Sequence, residues 1–294
     1  MGAKWRPVAA IWTAACLAFL PSMPAQAGQY VTIDSTKHIR LYYEESGSGD
    51  PVVFVPGWTM TSRYFSRQLQ YFSGSKSTRF IVYDPRAQGR STRTLGGANY
   101  IQHARDLKVF IHKLGLKHVV LGGWSWGMDT VYAYLSMYGA DNVRAVVDID
   151  QTPYPLATGE GAWSDGGPSA VKQFFDDFSK DRDATTRGFI PMMFTEKLSP
   201  AELGWMKSEA MMTPEIVADL LYYDGWFFDN TELVRKLKVP QLYFVSQGNA
   251  AAAKTFIARN CPDAELVPLG EHAMFYDHAP VFNARLAAFL AKHP

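Results

Sequence analysis

The sequence predicts an α/β fold, with a mainly parallel sheet flanked by helices and an inserted helical cap. Three observations lead there. Strand-length runs that are apolar throughout recur between amphipathic stretches, the pattern of strands buried on both faces of a parallel sheet. That rhythm stops across residues 153–228 and resumes after them. The composition, 47% apolar and 19% charged over 294 residues, suits a globular chain with a large core. The formal charge of +1, without a long run of one sign, offers no basic face for nucleic acid.

The chain opens with Lys4 and Arg6 before an apolar run at 8–20, and "AQAG" supplies a small-x-small site after Ala27. This reads as a signal peptide over residues 1–27, hence an exported protein, periplasmic or secreted, without stable membrane insertion after cleavage. A retained anchor is the competing reading, but the run is short for a bilayer. A lipoprotein signal at Cys16 is weakened by Thr13, where a leucine is wanted. Cleavage leaves a net charge of −1 and one cysteine, Cys261, so no intramolecular disulfide forms. With no CxxC or Cys/His spacing, neither a metal nor a cofactor is implied.

"YVTID" and "HIRLYYEES" then read as two strands joined by a turn, closed by Gly47-Ser48-Gly49-Asp50. "PVVFVPG" at 51–57 is a buried strand ending in glycine, and residues 61–72 have moderate helical spacing. "RFIVYDPRAQGRS" gives another strand and a polar loop. Residues 100–114 form a clear amphipathic helix, with Asn99 as N-cap and Gly115 as stop. "KHVVLGG", a helix from about Met128, and "VRAVVDID" at 143–150 follow. After the insertion come a strand within 239–248, a helix, a short strand at 264–270 and a last amphipathic helix. Residues 28–152 and 229–294 thus form the core, and 153–228 the cap.

The insertion is rich in aromatics and methionines, among them Trp163, Phe174, Phe178, Met192, Met193 and Trp226. They either pack small helices together or present one face to a ligand, a role for which methionine is adaptable. Its acids Glu196, Glu202, Glu209 and Glu215 read as solvated surface.

Between the third buried strand and its helix stands "LGGWSWGM", 121–128. A tight turn alone would explain the glycines. Strand, glycine-flanked serine and helix together point further, to Ser125 exposed on a strained turn as a nucleophile near helix N-terminal amides. A serine hydroxyl needs a base. Of seven histidines, His272, in the loop after the final strand, is the candidate, with His278 as fallback.

"VFVPGW", "YDPRAQGRS", "GWSWG", the helical insertion and the late "GEH" together resemble the alpha/beta-hydrolase superfamily over residues 30–292, most closely its capped esterase, enol-lactonase, haloperoxidase-like and haloalkane dehalogenase group. The resemblance implies nucleophile Ser125, base His272 and an oxyanion hole from the backbone N–H groups of Trp58 and Trp126. Pro56 stands where that family usually has histidine, which leaves the donor two residues on untouched. The usual acid position, after "QLYFVSQG", offers only "NAAAAK". Relatives that carry the acid after the preceding strand make Asp150 the assignment, with Asp148 deeper in the same strand and Asp229 and Asp277 as poorer candidates. Dehalogenation is disfavoured, because it needs an aspartate where Ser125 stands.

The expected activity is hydrolysis of an ester or lactone with an apolar acyl or aryl group, through an acyl-enzyme and without a cofactor. The partner is thus a small apolar substrate rather than nucleic acid. A peptidase or amidase on the same triad, and an inactive binding protein of the same fold, are the rival readings.

Overall fold

In the computed structural model, which describes residues 28–159 and 161–294, eight strands form one sheet. The expected leader lies outside the described residues. The strands are β1 (Gln29–Asp34), β2 (Ile39–Ser48), β3 (Asp50–Val55), β4 (Thr78–Tyr83), β5 (Val119–Trp124), β6 (Val143–Ile149), β7 (Gln241–Val245) and β8 (Glu265–Pro268). Their order is β1-β2-β4-β3-β5-β6-β7-β8. The β1–β2 and β2–β4 pairs are antiparallel, and every other pair is parallel.

Alternation along each strand decides which helices it holds. Val53 and Val55 of β3, with Leu121, Tyr243 and Val245, meet Leu107 and Phe110 of α2 (Tyr100–Lys113) and Met128 and Val131 of α3 (Gly127–Tyr138). Val52 and Phe54, with Val120, Val147 and Phe244, face the other way. They pack on Phe72 of α1 (Ser66–Phe72) and on Phe282 and Leu286 near the C-terminus. With both faces covered, the central strands β3, β5, β6 and β7 are buried almost throughout, which is why these runs do not alternate in the sequence, while β1 and β2 at one edge do. Asn99 caps α2 by accepting from the amide of Gln102 at 2.8 Å, and Gly115 beyond its end takes φ +64°.

Between β6 and β7 lie α4 (Pro168–Lys180), α5 (Arg182–Phe189), α6 (Pro200–Ala210), α7 (Glu215–Gly225) and α8 (Thr231–Lys236), with no strand among the described residues. The chain closes with α9 (Ala250–Asn260), α10 (Met274–Asp277) and α11 (Ala279–Lys292). Two expectations for this segment need correction. Trp163 does not belong to the helical layer. It is buried in the sheet core, its ring 6.1 Å from Tyr243 and 5.9 Å from Phe256 of α9, so the stretch before α4 folds back under the sheet edge. Glu209 is not a surface acid. It is 4% exposed and accepts from Thr61 Oγ1 at 2.7 Å, from both Arg90 terminal nitrogens at 2.9 Å and from Arg63 at 3.2 Å. Burial alone would raise its pKa, but Arg90 and Thr61 hold it below the ordinary glutamate value. This cluster ties α6 to the loops that follow β3 and β4.

Candidate active site

Four residues other than glycine take positive φ just beyond the C-terminal ends of β3, β4, β5 and β6: Thr59 (+61°), Ala87 (+61°), Ser125 (+53°) and Asp150 (+53°). A side chain there costs free energy, and such outliers gather where a fold aims a group. Ligands of open parallel sheets bind at this edge.

The turn that holds Ser125 is closed by contact. A Cβ on Gly123 would lie 2.5 Å from the amide of Met128, and one on Gly127 would lie 2.3 Å from the carbonyl of Val55. A Cβ on Gly57 would meet that of Ser125 at 3.0 Å. Glycine at these positions therefore lets the β3 loop and the start of α3 press against the serine. The Ser125 amide donates to Ile149 O at 2.9 Å, and that of Asp150 to Phe244 O at 2.8 Å, so each turn is latched to the next strand.

His272 Nδ1 lies 2.8 Å from Asp150 Oδ2. An ionised carboxylate only accepts, so Nδ1–H is the donor, and in the neutral imidazole Nε2 carries the lone pair. Asp150 Oδ1 accepts from the Ser246 amide at 2.7 Å. Burial would raise the Asp150 pKa, but the bond to His272, the imidazole's charge and the Ser246 amide hold it below the usual carboxylate value. Asp148 sits differently. It accepts from Tyr132 Oη at 2.7 Å and from the Gln151 amide at 2.9 Å, and complete burial pushes its pKa well up. The structure therefore brings Asp150, not Asp148, to His272. His278 packs on Thr195 Oγ1 at 3.1 Å, Asp277 accepts from the Thr195 amide at 2.7 Å, and Asp229 from the Thr231 amide at 3.0 Å. Asp277 and His278 thus tie the start of the C-terminal helices to the loop at Thr195, and Asp229 serves a local turn.

The tryptophans around the serine have separate tasks. Trp124 Nε1 donates to the carbonyl of His272 at 2.9 Å and fixes the loop that carries it. Trp126 packs edge-on against Trp226 at 5.5 Å and lies 5.1 Å from Tyr222. Trp58 lies 5.1 Å from Phe178 and 5.4 Å from Tyr222, and its Nε1 donates to Ala218 O of α7 at 2.8 Å. The backbone N–H groups of Trp58 and Trp126 donate to no acceptor among the described residues. Ser125, His272, Trp58 and Trp126 line one cavity of about 660 Å³, roofed by Phe174, Phe189, Met192, Met193, Tyr222 and Trp226.

Two polar residues of that wall, Gln151 and Asp165, escaped sequence reasoning. "WSDGGPS" has the composition of a turn, and nothing local marks its aspartate as cavity-facing. Among the described residues no group of three or more His, Cys, Asp or Glu is placed to hold a metal ion.

A family model described as the alpha/beta hydrolase fold matches residues 50–241. The chain belongs to this family. It is 33% identical to a non-heme haloperoxidase of Rhodococcus erythropolis, over 85% of this chain and 95% of that protein. An alpha/beta hydrolase of known structure, a bromoperoxidase from Bacillus anthracis, superposes with a TM-score of 0.81 at 24% identity, covering 90% of this chain and all of that one. An esterase from Exiguobacterium antarcticum does so with a TM-score of 0.79 at 22% identity, covering 90% and 99%. At such identities the two structures speak for the shared alpha/beta hydrolase fold alone.

Proposed function

We propose that the protein is a serine hydrolase that cleaves a carboxylic ester or lactone with an apolar acyl or aryl group. The observation that carries this reading is the 2.8 Å bond to Asp150 from His272, whose ring lies on the wall that also holds Ser125. Ser125 Oγ attacks the substrate carbonyl while His272 Nε2 takes its proton. Asp150 keeps the imidazole in the tautomer that can do so and stabilises the imidazolium once formed. The Trp58 and Trp126 amides receive the developing oxyanion, helped by the N-terminal end of α3. His272 then protonates the leaving alcohol and activates water, which releases the acid and regenerates Ser125. The aromatic and methionine roof supports an apolar substrate, since pocket walls bind mostly apolar surface and a few polar groups set orientation.

Relatives that carry haloperoxidase names support a second use of the same acyl-enzyme, with hydrogen peroxide as acceptor in place of water. Attack by peroxide on the acyl carbon would give a peracid and free Ser125. We extend the proposal to a protein that acts outside the cytoplasm, on the strength of the N-terminal pattern alone.

The test is labelling with a fluorophosphonate, read by mass spectrometry. The expected adduct sits on Ser125 and is absent from Ser125→Ala. Folded protein that neither labels nor hydrolyses a small aryl ester would overturn the reading.

A further inference from the structure

The cavity wall carries one acid for which ester hydrolysis has no use. Asp165 lines the cavity with Ser125 and His272 and is exposed to its open space. Its place is set by the backbone, whose amide donates to Pro155 O at 3.0 Å, and by Gln151 Nε2, 3.4 Å from Oδ2. Among the described residues, no lysine or arginine lines this cavity. The remaining wall presents the rings of Trp58, Trp126, Phe174, Tyr222 and Trp226. Ring faces carry negative charge density that attracts cations, and Asp150 stands behind His272. Apart from His272 and the N-terminal end of α3, the charge on this wall is thus negative.

We propose that Asp165 anchors a positively charged nitrogen of the substrate, so that the preferred ester carries an ammonium group on its acyl or alcohol part. This rests on the ester-hydrolase reading above. A cation bound against these rings gains this carboxylate as a charged partner. The surrounding apolar wall first, then the nearby charge of Asp150, raise the Asp165 pKa to about 7, against the lowering effect of His272. Anionic substrates would meet repulsion in the same place, and a neutral apolar ester would leave the carboxylate unpaired.

The experiment compares two matched pairs of esters that differ only in charge: choline butyrate against neohexyl butyrate, and phenylalanine methyl ester against methyl hydrocinnamate. The ratio of kcat/KM within each pair is measured for the wild-type protein and for Asp165→Asn. The expected result is a preference of about tenfold or more for the cationic member of at least one pair, carried by KM. Asp165→Asn should remove that preference. Wild-type ratios at or below unity in both pairs, with the neutral esters hydrolysed, overturn the anchor and leave the hydrolase reading standing. Should none of the four esters be hydrolysed, the hydrolase reading is what fails. Binding of benzyltrimethylammonium, read by tryptophan fluorescence, then tests the anchor by itself. Tight binding weakened by Asp165→Asn supports it, and equal or no binding in both proteins overturns it.

Discussion

The C-terminal edge of the sheet and the helical layer above it are built on opposite terms. At the edge, Ser125 and Asp150 are held in strained left-handed conformations by backbone latches to neighbouring strands, and His272 by its bond to Asp150 and by the Trp124 indole on its carbonyl. The layer is held by rings, by one indole bond and by the Glu209 cluster. It even leaves Met192 and Phe227 about three-quarters exposed. The edge fixes the placement of single side chains, which the proposed proton transfer needs. The layer fixes a volume and a polarity, which is what choosing among substrates needs. One region encodes a reaction and the other a preference, and each can be perturbed separately.

The largest effects should come from the edge. Ser125→Ala is expected to lower kcat on an aryl ester by roughly ten-thousandfold or more, with unchanged circular dichroism. A smaller loss would mean that another group delivers the acyl transfer. Asp150→Asn should cost about a thousandfold, since the imidazole loses the partner that sets its tautomer, whereas Asp148→Asn should stay within about tenfold of wild type. Equal losses for both would erase the distinction between the two strand positions. At the layer, Glu209→Gln should lower the free energy of urea unfolding by about 2 kcal/mol, the low end for a buried pair because Arg63 and Arg90 still reach water. Proteolysis within residues 168–225 should quicken alongside. If unfolding is unaffected, the layer does not depend on this tie.

The smallest effect separates the two acids by pH. Asp150 is held below its ordinary pKa, while Asp165 is raised to about 7. Lowering the pH from 8 to 6 therefore protonates Asp165 and leaves Asp150 charged, so the cationic-to-neutral ratio for the choline pair should fall by roughly tenfold. Choline keeps its charge at any pH, and protonation of His272, which faces both acids, affects both esters alike and cancels in the ratio. A ratio flat across this range would detach the layer's preference from Asp165.

What was legible in the sequence follows the same division. The run "LGGWSWGM" announces Ser125 because strand, turn and helix are contiguous, and each glycine answers a contact within a few residues or across one adjacent strand end. His272 was legible from its place in the loop after the final strand, whereas Asp150 was singled out only through the resemblance to relatives that carry the acid after this strand. The helical character of 153–228 was readable from the loss of strand runs, although the role of each residue there was not. Glu209 looks solvated until the loops after β3 and β4 bring Thr61, Arg63 and Arg90 to it. Asp165 looks like a turn until Trp163, two residues earlier, goes under the sheet edge and turns the following segment into the cavity. Burial of this kind is decided by partners distant in the chain, which periodicity does not see.

The indole bond from Trp58 to Ala218 has a consequence for how such a molecule can change. The proposed oxyanion donor and the helix that lines the cavity above it belong to residues 160 positions apart, yet one hydrogen bond makes them neighbours. Evolution toward a new substrate would have to work on α7, and every shift of that helix would pull on the loop whose geometry sets the rate. New specificity is therefore most accessible through side chains that project from α7, or through α4 and α5, which touch the same cavity without this tether. A lineage that diversified by moving α7 itself would have to give up the indole first.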